Sequence, residues 1–105
     1  MEKERLDIIK MYIYENIKIL EDRKADKEDK KISRQLIKEE VECLEKHFEN
    51  LSKSGTTIEI ESFKKDMKEV ENMLLTYIIK LARTANKFDN EIYKLYANIA
   101  DILFI

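Results

Sequence analysis

The 105-residue chain contains no proline and no tryptophan, a single glycine, a single cysteine and a single histidine. Each scarcity removes a class of protein. Proline and glycine punctuate loop-rich and sheet-rich folds, and their near absence leaves long helices as the expected architecture. With only Cys43 there is no internal disulfide framework, so a reducing, cytoplasmic setting is the default expectation. His47 follows Cys43 by four residues and shares its helix face. Two ligands are too few for a metal site, and Leu44 occupies the position where a di-iron helix would need glutamate. No third group orients the pair for nucleophilic catalysis. The chain is therefore expected to be non-enzymatic, with no cofactor and no metal.

Long apolar runs are missing as well. The longest are Met11 to Tyr14 and Ile102 to Ile105, far short of the roughly 20 residues that cross a bilayer. Near the start, Lys10, Glu15 and Lys18 interrupt the apolar residues, unlike the continuous centre of a secretory signal. Nor does one sign of charge dominate: 20 basic residues face 22 acidic ones, a net charge of -2. No whole-molecule field attracts nucleic acid or an anionic membrane, so any such contact has to be local.

What the chain has is charge and helical periodicity, with 40% charged and 44% apolar residues. Leu6, Ile9, Ile13, Ile17 and Leu20 predict a helix from about residue 3 to 22. Residues 22–31 carry no large apolar side chain and read as a charged, solvated linker. Ile37, Val41, Leu44, Phe48 and Leu51 predict a second helix from Ile32 to about Lys53. A turn follows over 52–57, where Gly55 supplies a positive φ and Thr56 with Glu59 forms a capping box. Thr57 to Glu61 also alternates as a strand would, which leaves an intermolecular strand as the competing reading.

From Ile60 every seventh residue is apolar: Met67, Leu74, Leu81, Phe88, Leu95 and Ile102 continue the line. It predicts a helix from about Ile60 to near Ala85. Thr84, Asn86, Asp89 and Asn90 then favour a kink or short turn before a fourth helix that runs to about Phe104. The alternative is one long kinked helix. The expected fold is all-α, an antiparallel four-helix bundle in a single domain over 1–105.

Helices one and four have more apolar circumference than the third that a bundle helix needs. This surplus predicts a homodimer whose interface draws on Tyr12, Tyr14, Tyr93, Tyr96, Ile99 and Leu103, tyrosine being common at interface hot spots. The expected function is protein binding, as a homodimeric adaptor, regulator or inhibitor with a larger protein as a further partner. The alternative is a nucleic-acid-associated factor using the basic stripe Lys80, Arg83, Lys87 and Lys94. Against it, residues 38–49 carry five glutamates that such a stripe would also satisfy, and no aromatic residues interleave it if Tyr77 and Phe88 lie on the core line.

Overall fold

The computed structural model describes residues 1–104; the expected apolar end at Ile105 lies outside them. Among the described residues there are four helices and no strand: α1 (Lys3–Glu21), α2 (Lys27–Ser54), α3 (Thr57–Ala85) and α4 (Asn90–Phe104). The 29 residues of α3 at about 1.5 Å each span about 43 Å, which matches the 44 Å long axis of the molecule.

Each helix sends one periodic row into a common core. Leu6, Ile9, Ile13, Ile17 and Leu20 come from α1, and Ile37, Val41, Leu44 and Phe48 from α2. The α3 row is Phe63, Met67, Val70, Leu74 and Tyr77, and the α4 row is Ile92, Leu95, Ile99 and Ile102. Spacings of three and four keep each row on one face. Helix α1 packs on α2 and α3, α4 packs on the same two, and α1 does not touch α4. The short helices therefore flank the long pair.

Polar cross-links hold particular levels together. Lys10 reaches from α1 to Asp66 (2.9 Å) and Glu69 (2.8 Å) on α3, and Lys80 of α3 returns to Glu21 (2.5 Å). Burial acts to lower the Lys10 pKa, but its hydrogen bonds and the charges of the two acids prevail and raise it. Phe48 and Phe63 stack with centroids 6.1 Å apart, joining α2 to α3 near the turn between them.

The first two connections depart from the sequence expectations, and the third is the expected break, departing only at Phe88. Helix α2 begins at Lys27, so half of the expected linker 22–31 is helical. Asp26 caps it by accepting the Asp29 N–H at 2.8 Å, and lysine and glutamate are good helix formers that need no burial. The lack of apolar side chains there reported exposure, not backbone conformation.

The expected turn 52–57 shrinks to Gly55 and Thr56, since α2 ends at Ser54 and α3 begins at Thr57. Gly55 has φ -86, not the positive φ expected. It is required by proximity: its N–H donates to the Leu51 carbonyl at 2.7 Å, and a Cβ would lie 2.8 Å from that oxygen. The Thr56–Glu59 capping box forms with both bonds at 3.1 Å. Thr57 to Glu61 is thus the first part of α3, not a strand, and Ile58 points into solvent with 82% of its surface exposed.

At the third connection α3 ends on Asn86 with φ 51 and ψ 43. Asparagine tolerates this left-handed conformation better than most residues. The chain is therefore broken between α3 and α4. Phe88 falls in that break and is 53% exposed, although the seven-residue line places it in the core. A helical period has no meaning for a residue outside a helix. Met67, Leu74, Leu95 and Ile102 on the same line are buried, while Ile60 and Leu81 are half-buried.

Candidate functional site

Two regions stand out from the solvated remainder. The first is an apolar face on α1 and the start of α2. On α1, Ile8, Tyr12 and Ile19 lie on one stripe with large exposed surface; Met11 is exposed next to it, and Tyr14 is exposed on the other flank of the helix. The stripe repeats at four and seven residues, which keeps it on one side of the helix, with the exposed Glu15 on the same side between Tyr12 and Ile19. On α2, Ile32 and Leu36 are also exposed, and both share with Ile19 a shallow groove floored by Asn16 and Ser33. Asn16 is itself buried, with its amide donating to the Tyr12 carbonyl at 2.9 Å. Lys18 sits over the Tyr14 ring, 5.1 Å from its centre.

The second region is the end of the molecule where α2, α3 and α4 meet at Asp89. This carboxylate is buried and fully engaged. It accepts Arg34 Nε from α2 at 2.9 Å, the Tyr77 hydroxyl from α3 at 2.8 Å and the Ile92 N–H of α4 at 3.1 Å. One side chain thus caps α4 and ties it to both neighbours. Burial first, then the hydrogen bond and charge of Asp89, raise the Tyr77 pKa, with Arg34 acting weakly the other way. For Arg34, burial opposes its charge, yet the bond to Asp89 leaves it more firmly protonated. Tyr77 and Asp89 were readable as a core aromatic and a cap, but nothing in their spacing linked either to Arg34.

The expected interface residues separate. Tyr12, Tyr14 and Tyr93 are exposed, Tyr96 and Leu103 are half-buried against the core, and Ile99 is fully buried with 0% exposure. Ile99 is therefore a core residue and not part of an interface. Tyr12 and Tyr14 stand on a helix that does not touch the helix of Tyr93. Tyr93 and Tyr96 of α4 form a short aromatic ladder with Phe88 of the preceding break: Phe88 and Tyr93 have ring centres 5.2 Å apart, and Tyr93 and Tyr96 are 5.9 Å apart.

The basic stripe is likewise divided. Lys80 is paired with Glu21, Lys80 and Lys87 line a cleft at the Asp89 end, Arg83 lies outside that cleft, and Lys94 lines a separate groove between α2 and α4. Cys43 is a half-buried thiol, and His47 stands edge-on to Phe63 with ring centres 5.1 Å apart. Burial pushes the His47 pKa below its ordinary value. Among the described residues no group of three or more His, Cys, Asp or Glu is placed to hold a metal ion, and no helix is long and apolar enough to cross a membrane.

Comparison with protein-family models, with curated proteins and with solved structures finds no match to this chain. Function therefore has to be argued from its own surfaces.

Proposed function

We propose that this is a non-enzymatic, antiparallel four-helix bundle that works in the cytoplasm by binding protein, first a second copy of itself, as an adaptor, regulator or inhibitor. The observation that carries the reading is the apolar face of Ile8, Tyr12 and Ile19 on α1 with Ile32 and Leu36 on α2. Large contiguous apolar patches are uncommon on monomers and mark sites of association. Tyrosine at the centre suits such a surface, because its ring is covered while its hydroxyl keeps a polar partner.

The bundle topology is supported by the cross-links. Lys10 with Asp66 and Glu21 with Lys80 pair α1 with α3 in the same direction. Arg34 with Asp89 and Glu45 with Asn98 do the same for α2 and α4. Phe48 with Phe63 sets α2 against α3. An up-down-up-down order satisfies all of these. The apolar face then lies mainly on the α1–α2 side, where Ile32 and Leu36 also border the groove between α2 and α4.

Sedimentation of the natural chain at micromolar concentration is expected to give a dimer. Tyr12→Glu with Ile19→Glu should give a folded monomer, because each side chain already has at least a third of its surface in water, and the helical circular dichroism should be retained. A monomer for the natural chain throughout the micromolar range would remove this reading. So would a dimer unaffected by the two charges. Ile99→Glu is unsuitable for the same test, since a charge at a fully buried position unfolds the chain whatever the oligomer.

A further inference from the structure

We propose that the cleft at the Asp89 end of the bundle binds a small phosphorylated ligand of the nucleoside polyphosphate class. The cleft lies where the α1–α2 connection, the first turns of α2, the end of α3 and the α3–α4 connection converge. Its volume is about 700 Å³, within the range of small-molecule sites. This proposal is independent of the α1–α2 apolar face, which lies outside the cleft.

Charge identifies the kind of ligand. Arg23, Lys27, Lys30, Arg34, Lys80 and Lys87 all line the cleft, against the three carboxylates Glu21, Asp89 and Glu91. Two of those carboxylates are already engaged, Glu21 by Lys80 and Asp89 by Arg34. Among the described residues Arg23, Lys27, Lys30 and Lys87 form no ion pair. A chain of net charge -2 thus gathers uncompensated positive charge at one concave place. Concave surfaces lined by one sign focus the field and concentrate ions of the other sign.

Arg34 makes the wall specific. Asp89 takes its Nε at 2.9 Å, which fixes the guanidinium plane on the wall of the cleft. A planar fork held in this way is the geometry that binds phosphate oxygens in pairs. The N-terminus of α2 is not the source of the site, because Asp26 already occupies its cap. The side chains supply the attraction.

The nucleoside part of the proposal rests on Phe88. Displaced from the core by the break after Asn86, its ring lies half in water on the wall of the cation-lined cleft and is backed by Tyr93 at 5.2 Å. A base stacked on that ring would have its phosphates within the lysine and arginine cluster. Aromatic stacking beside fixed positive charge is the general chemistry of nucleotide binding without a glycine-rich loop.

The test is calorimetric titration of the full chain with ATP, GTP, inorganic tripolyphosphate and a single-stranded oligothymidylate, each at low and moderate salt. Saturable binding of ATP or GTP is expected, tighter than that of the oligonucleotide on a per-site basis. Lys27→Glu with Lys30→Glu should weaken ATP and tripolyphosphate by about tenfold or more, whereas Arg83→Glu, outside the cleft, should leave both unchanged. Phe88→Ala should weaken ATP several-fold and leave tripolyphosphate as it was. Thermal unfolding of each variant confirms that it is folded. The proposal is overturned by no saturable binding of either nucleotide at millimolar concentration, by equal losses for Arg83→Glu and the double lysine variant, or by a clear preference for the oligonucleotide, which would mark a single-strand surface instead.

Discussion

Asp89→Ala is expected to destabilise the protein by about 3 to 5 kcal/mol, the usual consequence of breaking a buried ion pair by removing one partner. Three losses coincide. Arg34 keeps its charge with no carboxylate, Tyr77 keeps a buried hydroxyl with no acceptor, and α4 loses the cap on its first turn. The cap alone accounts for about 0.5 to 2 kcal/mol. A urea midpoint that moves by no more than that would show that the contacts to Arg34 and Tyr77 add nothing. Asp89→Asn should fall between, since it can still accept from the Ile92 N–H while surrendering the charge. Tyr77→Phe should cost only about 1 kcal/mol, because the remaining carboxylate retains Arg34 and the backbone N–H.

The same cluster sets a direction for alkaline unfolding. The folded pKa of Tyr77 is raised, so the phenol holds its proton where an unfolded tyrosine loses it, near about pH 10. The unfolded state then binds fewer protons. Stability contributed by Tyr77 is present in full below that pH and is lost as pH rises above it. Lys10, also raised by its two acids, works in the same direction. Tyr77→Phe should flatten part of the alkaline limb in a plot of urea midpoint against pH.

Much of the fold could be read from apolar spacing, because a helix buries its residues at three and four and each core row obeys that rule. The rows of α1 and α2 and the capping box at Thr56 needed no tertiary information. What could not be read depended on neighbours. Helices α1 and α4 have similar apolar surpluses and lie against the same two long helices, but Ile99 falls within the row that α4 turns to the core and Tyr96 at its margin, while Ile8 and Tyr12 lie on a flank of α1 that no helix covers. Periodicity counts apolar residues around a helix and carries no term for how much of the circumference its neighbours reach. The charged run 22–31 posed the reverse difficulty. Its residues are solvated as expected, yet Lys27 and Lys30 stand in the first turns of α2 and line a cleft whose other wall, from Tyr77 to Glu91, is far away in sequence. Asp89 joined Arg34 across a similar separation, and no local pattern encodes such a pair.

Leu74→Ala should cost about 2 to 5 kcal/mol, because a fully buried leucine leaves a cavity between packed helices that they cannot close. Leu74 is 0% exposed at the middle of α3. Its neighbours on the seven-residue line allow a graded comparison within one chain. Leu81 is half-buried, so Leu81→Ala removes less contact and should cost clearly less than Leu74→Ala. Phe88 lies in the break beyond Asn86, so Phe88→Ala should change stability by no more than about 0.5 kcal/mol despite removing the largest side chain of the three. Lys68→Ala, off the line, leaves no cavity but removes the partner of the buried Glu71 carboxylate, and should cost about 1 to 3 kcal/mol. Urea unfolding of the four variants under one condition tests the order. If Phe88→Ala instead matched Leu74→Ala, the seven-residue line would be packed without interruption from Ile60 to Ile102. That result would require α3 and α4 to be one continuous helix, with Phe88 turned inward and no aromatic wall at the basic cleft.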